Sequence, residues 1–177
     1  NMSRERLDAY KAGIFTEFQE QRAPGHTVLG NKIYGKGMLD IKKDIKRSLE
    51  SLDFYNDPEA YAKREELKAM DISADAIMHF AERYSEKLNE MANSEKNKNR
   101  KKELLEMAEI CHHVPAHKPE TFHEALQYYW FVHLGVITEL NPWDSFNPGR
   151  LDQHLYPFYI KGLNNGTLTK ERATELL

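Results

Sequence analysis

The residues of this chain whose types and spacing could do chemistry gather in two loops. The later one belongs to the stretch Glu139–Tyr156, which reads Glu-Leu-Asn-Pro-Trp-Asp-Ser-Phe-Asn-Pro-Gly-Arg-Leu-Asp-Gln-His-Leu-Tyr. Two Pro, a Gly and two Asn force the backbone out of helical geometry there, and the carboxylate Asp144 sits between Trp143 and Phe146 inside the break. The earlier loop is Arg22-Ala-Pro-Gly-His26, with Phe18 on the last helical turn before it. A neutral histidine and a carboxylate are the parts of a proton-transfer or hydroxyl-binding site, and loops on a rigid scaffold are where such sites are built. They are also ordinary constituents of surface turns, and from the residues alone both readings stay open.

Composition narrows the class. A chain of 177 residues is long enough for one domain with a real core. Apolar residues make up 40% and charged residues 30%, with a mean hydropathy of −0.74, the balance of a water-soluble protein. A net charge of −3 and a pI near 6.3 give no electrostatic case for nucleic acid or an anionic membrane as partner. The single cysteine, Cys111, excludes an internal disulfide and a cysteine-rich metal site and points to a reducing compartment. Asn1–Gln21 is charged throughout, unlike a signal peptide, and the longest apolar run, Tyr128–Ile137, is too short to span a bilayer. The expectation is a soluble, cytoplasmic protein. Both ends look cut: Asn1 precedes Met2, and Thr169–Leu177 opens a helix with no stop signal, so a piece of something longer is expected.

The elements that must position the two loops read as helices. Leu7, Tyr10, Ile14, Phe15 and Phe18 recur at helical spacing over Ser3–Gln21, and Pro24-Gly25 ends the pattern. A connection dotted with Gly30, Gly35 and Gly37 leads to a predicted helix Met38–Leu52. Asp57-Pro58-Glu59 signals the start of a long helix reaching about Asn93. Its seam of Leu67, Met70, Ala74, Ile77, Ala81, Tyr84, Leu88 and Met91 is matched after a polar connection by Leu104, Ala108 and Cys111. That predicts an antiparallel helical hairpin, with a two-chain coiled coil as the rival. The basic run Lys96–Lys102 has acidic flanks and no aromatics, which fits a solvated hairpin tip. His112, His113, His117 and His123 lack zinc-ligand spacing and read as polar residues at helix ends. A helix Pro119–Thr138 is apolar on nearly every face, so it is expected to be buried all round, partly against protein outside this chain. A helix Arg150–Lys161, a turn Leu163–Thr167 and a last helix from Thr169 complete an all-α chain.

Three segments together resemble the glycyl radical enzymes. Val114-Pro-Ala-His-Lys-Pro-Glu-Thr-Phe-His-Glu-Ala-Leu-Gln127, followed by Trp130-Phe131, is similar to that family's Pro-rich lead into a Thr-Phe-x-Glu-Ala-Leu-Gln helix. Pro148-Gly-Arg-Leu-Asp-Gln153 with Tyr156-Pro157 resembles its Gly-Arg-x-Asp-Gln segment. Phe15-Thr-Glu-Phe-Gln-Glu-Gln-Arg-Ala-Pro-Gly-His-Thr27 looks most like the hydroxyproline dehydratase branch. The resemblance implies part of the helical wrapping of a ten-stranded β/α barrel, in a homodimeric enzyme that removes water from a small hydroxylated substrate. It implies a thiyl cysteine that abstracts hydrogen and a glycyl radical installed by an activase using S-adenosylmethionine and an iron–sulfur cluster. It carries substrate-binding roles to Phe18, His26 and Asp144. The thiyl cysteine, its neighbouring carboxyl and the glycyl loop have no counterpart here, and Cys111 falls on a helical seam, so no catalytic residue, cofactor or metal is assigned to this chain alone. Other family chemistries remain alternatives (formate acetyltransferase, diol or glycerol dehydratase, decarboxylase), as does a free-standing helical interaction module.

Overall fold

The computed structural model describes residues 3–14, 29–139 and 148–177, and every regular element among them is helical. In chain order these are α1 (Arg4–Lys11), a 3₁₀ turn (Lys32–Tyr34), α2 (Met38–Glu50), α3 (Ala60–Ser94), α4 (Lys98–His113), α5 (Phe122–Glu139), α6 (Leu151–Asn165) and α7 (Lys170–Leu176). The all-α expectation holds. Phe18, His26 and Asp144 lie outside the described residues.

The hairpin of α3 and α4 is the largest piece of the scaffold. Asp57 organises the entry to α3: its carboxylate accepts from the Glu59 N–H at 2.9 Å and holds the Lys63 ammonium at 2.7 Å. The helix therefore begins at Ala60, slightly later than Asp57-Pro58-Glu59 suggests, because that tripeptide forms a turn in front of it. At the tip Asn97 caps α4, accepting from the Asn99 and Arg100 N–H groups at 2.9 and 3.2 Å. Ala81, Leu88, Ala92, Leu104, Ala108, Cys111 and, from α5, Phe131 close the core between the helices. The seam differs from the expected one. Ser85 and Ala92 are buried, whereas Met70, Tyr84 and Met91 are 49%, 46% and 43% exposed. A straight helix drifts about 20° per heptad against a 3.5-residue repeat, so over this length the buried line moves onto neighbouring positions.

Other ends are set by local chemistry that periodicity does not report. The first helix stops at Lys11 and not at Gln21, since Gly13 takes φ +72°. The N–H groups of Gly13 and Ile14 then bond the Tyr10 and Ala9 carbonyls at 3.0 and 3.1 Å, a Schellman arrangement that terminates the helix. α5 starts at Phe122 and not at Pro119 because Thr121 and Glu124 form a capping box. The Thr121 hydroxyl accepts from the Glu124 N–H at 3.2 Å, and the Glu124 carboxylate accepts from the Thr121 N–H at 2.9 Å. α5 encloses Tyr128 and Phe131 but leaves Trp130 49% exposed, in line with the expectation that part of its apolar surface faces protein outside this chain. α6 continues through the expected turn to Asn165 and ends where Gly166 takes φ +75°.

Two further cores complete the packing. Ile33, Met38, Ala74, Ile110, Val114, Tyr128 and Val132 bring the 3₁₀ turn and α2 against α3, α4 and α5. Phe122, Ala125, Leu155, Leu168 and Ala173 join α5, α6 and α7. The free N–H groups at the start of α2 are satisfied across the chain, Met38 by the Pro115 carbonyl at 2.8 Å and Leu39 by that of Ala116 at 3.1 Å. Among the described residues no helix is long and apolar enough to cross a membrane.

Candidate functional site

Although the three expected substrate contacts fall outside the described residues, the segments that carry their loops do not. The early loop leaves through Leu29 and Gly30, both at positive φ (57° and 53°), into the 3₁₀ turn whose last residue is Tyr34. The later loop starts from the C-terminal end of α5 and finishes at Gly149, φ +66°, just before α6. In the first turn of α6 the N–H groups of Gln153 and His154 bond the Arg150 carbonyl at 3.0 and 2.9 Å.

Tyr34 joins these stems. Its ring stacks on that of His154 with centroids 5.3 Å apart and planes 22° from parallel, and it meets Phe158 one turn on at 6.2 Å. The ring touches both the core under the 3₁₀ turn and the core between α5 and α6. Its hydroxyl oxygen is buried without a hydrogen-bond partner, and the phenol is pushed up to about 12, first by burial and then by the neighbouring Tyr129. Tyr128 adds a second tie: it is wholly buried, and its hydroxyl donates to the Lys36 carbonyl at 3.2 Å. Toward the C-terminal end of α5, Tyr129 reaches His133 Nδ1 at 3.4 Å, and His133 stacks on Trp130 at 5.4 Å. The described structure thus brings together the exit of the first loop and the later stem of the second, with rings from the middle of α5 beside them.

Sequence reasoning passed over Tyr34, Tyr129 and His154. The one available signal was an aromatic at position 34 in a short connection dotted with Gly30, Gly35 and Gly37.

Cys111 lies where its spacing placed it, on the hairpin seam at 5% exposure, with its thiol pushed up to about 11 by burial. The neighbouring histidines act at helix ends: His112 Nδ1 meets the Glu82 carboxylate at 2.8 Å, and His113 Nε2 meets the Lys118 carbonyl at 3.2 Å. Among the described residues no three His, Cys, Asp or Glu side chains stand together as a metal site.

Comparison with known proteins agrees with the fold. Trans-4-hydroxy-L-proline dehydratase of Clostridioides difficile is 59% identical over 176 residues, covering 99% of this chain and 22% of that protein. An isethionate sulfite-lyase of Nitratidesulfovibrio vulgaris is 37% identical over 146 residues, covering 82% of this chain and 18% of that one. The crystal structure of the C. difficile hydroxyproline dehydratase with trans-4-hydroxy-L-proline bound superposes with a TM-score of 0.85 over 99% of this chain and 22% of that one. Glycerol dehydratase of Clostridium butyricum, 29% identical, gives 0.78 over 99% of this chain and 22% of that one. This chain therefore spans about a fifth of the length of these relatives. The family described as Pyruvate formate lyase-like matches residues 1–177, and the chain belongs to it.

Proposed function

We propose that these residues are the helical portion of a larger domain in a glycyl radical dehydratase, one that removes water from trans-4-hydroxy-L-proline or a similarly hydroxylated substrate. The observation that carries this reading is the 59% identity, sustained over 99% of the chain, to a dehydratase of that specificity. The helices would wrap a ten-stranded barrel, with the two loops reaching its mouth.

In this reading Phe18 packs against the substrate ring, and His26 and Asp144 hold its polar groups, a cationic amine or the hydroxyl. A carboxylate and a neutral imidazole suit those tasks, since one balances the ammonium and the other accepts or donates a hydrogen bond. Cys111 does not fit the hydrogen-abstracting role: a thiol enclosed in a helical seam has no access to a substrate. The radical glycine and thiyl cysteine would be supplied by other parts of the protein, and the glycyl radical provides the one-electron chemistry once an activase with S-adenosylmethionine and an iron–sulfur cluster has installed it. The remaining partners are a small-molecule substrate and a second copy of the enzyme, in the cytoplasm.

The test is turnover of trans-4-hydroxy-L-proline by the activated full-length enzyme and its Asp144→Ala variant. The proposal expects turnover in the first and a loss of about a hundredfold or more in the second, at unchanged thermal stability. Unchanged turnover in D144A would remove Asp144 from the pocket. A wild-type enzyme that ignores hydroxyproline but cleaves isethionate would favour the chemistry of the 37% identical sulfite-lyase.

A further inference from the structure

Tyr34 and His154 are far apart in sequence, yet each sits at the margin of one of the two loops. Tyr34 ends the short turn by which the first loop rejoins the scaffold, and His154 lies in the first turn of α6, where the second loop does so. Their rings are stacked at 5.3 Å, and Phe158 backs the Tyr34 ring from the next turn of α6. No other ring contact described joins the 3₁₀ turn to α6. The anchors on either side are buried in the core: Ile33 is 1% exposed beneath the turn, and Leu155 is 4% exposed beneath α6. A stack between two fixed bodies sets their separation to within the thickness of a ring.

We infer that the Tyr34–His154 stack is a clamp that fixes the spacing of the two loops, with Tyr34 a positioning residue for the substrate pocket. This rests on the reading of the pocket given above. The ring and not the hydroxyl does the work, because the hydroxyl is buried without a partner and ties the clamp to nothing. Tyr34 would act on substrate only through the loops: when the stems part, Phe18 and His26 on one side and Asp144 on the other no longer meet the substrate together. Displacement of binding groups weakens substrate capture, whereas simple loss of folded enzyme lowers the active fraction and leaves KM alone.

The experiment compares wild type, Y34F, Y34L, H154L and the Y34L/H154L double variant in the activated full-length enzyme. Y34L and H154L each raise KM for trans-4-hydroxy-L-proline on the order of tenfold, the scale of one aromatic pair. The double variant raises it no further than the worse single, as expected when both remove the same contact. Y34F, which keeps the ring, retains the wild-type KM. An unchanged KM in Y34L and H154L, a Y34F as impaired as Y34L, or additive effects in the double variant would each overturn the clamp. Amide hydrogen exchange on the unactivated enzyme separates this from a wrong substrate assignment. Y34L should speed exchange in 148–154 and H154L in 29–34, whatever the substrate is. If each variant perturbs its own segment alone, the clamp is refuted; if exchange follows the clamp but hydroxyproline is not turned over, the substrate reading fails and the clamp stands.

Discussion

The backbone of Gly37 lies so close to that of Ala116 that a Cβ added at Gly37 would stand 2.3 Å from the Ala116 carbonyl oxygen and 2.5 Å from His117 Cα. The φ of Gly37 is −84°, open to any residue, so space and not backbone strain demands glycine. The close approach is what lets the Pro115 and Ala116 carbonyls reach the first N–H groups of α2. Gly37→Ala must push α2 away and break those bonds. It is expected to cost about 3 kcal/mol in the full-length protein, read as a fall in Tm. Gly135→Ala is the contrast: among the described residues its Cβ would meet only Ile77 Cδ1 at 3.5 Å, and alanine replaces glycine inside a helix. That variant is expected to gain about 0.5–1 kcal/mol. Equal behaviour of the two would refute the packing argument.

The rotation of the α3 seam is open to the same kind of comparison. Leu104 is 2% exposed between the hairpin helices, so Leu104→Ala removes enclosed methyl groups and leaves a cavity, at about 2–5 kcal/mol. Met91 shares the seam by spacing but is 43% exposed, and Met91→Ala is expected to change stability by roughly 0.5 kcal/mol or less. Chemical denaturation of both variants decides it; a costly Met91→Ala would mean that another surface covers that face.

What the sequence made legible divides along the range of the interactions involved. The hairpin was readable because its signals are local and agree: Asp57-Pro58 at one end, apolar residues three and four apart, and a polar tip capped by Asn97. The run of α6 through Gly162 to Asn165 was not, because it depends on Leu168 folding back over Gly162. A Cβ at Gly162 would lie 2.7 Å from that of Leu168, and no local pattern announces such a contact. The end of α1 was missed differently, since Gly13 lies between well-spaced apolar residues and periodicity outweighed it. For the site, the motifs around Phe18, His26 and Asp144 spoke through resemblance. The Tyr34–His154 stack is a tertiary pairing that spacing has no means to encode.

Two buried acids without charged partners give the protein an alkaline limit. Burial pushes Cys111 from its ordinary 9.0 up to about 11, and burial followed by Tyr129 pushes Tyr34 from 10.0 up to about 12. Above pH 9 the unfolded chain begins to release these protons while the folded chain keeps them, so the folded state binds more protons and stability falls as pH rises. The contribution is fully present below pH 9 and is lost through the window from 9 to 12. Tm measured across that window should fall in the wild type, and the fall should be shallower in Cys111→Ala and Y34F. A parallel decline in all three would assign the alkaline limit to other groups.

His123 sets the opposite dependence at the junction of α4, α5 and α7. Its Nδ1 is buried without a hydrogen bond, 3.9 Å from the Glu106 carboxylate. Burial holds its pKa below the ordinary 6.5, and the Arg172 guanidinium adds to that, against the pull of Glu106 and Glu124. The unfolded chain therefore takes up a proton near pH 6.5 that the folded chain resists. Stability from this group is present above 6.5 and is lost as pH falls through it toward the lower folded value. His123→Gln, which cannot titrate, should flatten the fall in Tm between pH 7 and 5 relative to wild type. Arg172→Met should flatten it partly, by removing the cation that opposes protonation, with the Glu175 pairing of Arg172 lost as well. The two variants also separate the causes: a large effect of R172M beside a small one of H123Q would mean that the guanidinium acts through its carboxylate partners and not through the imidazole.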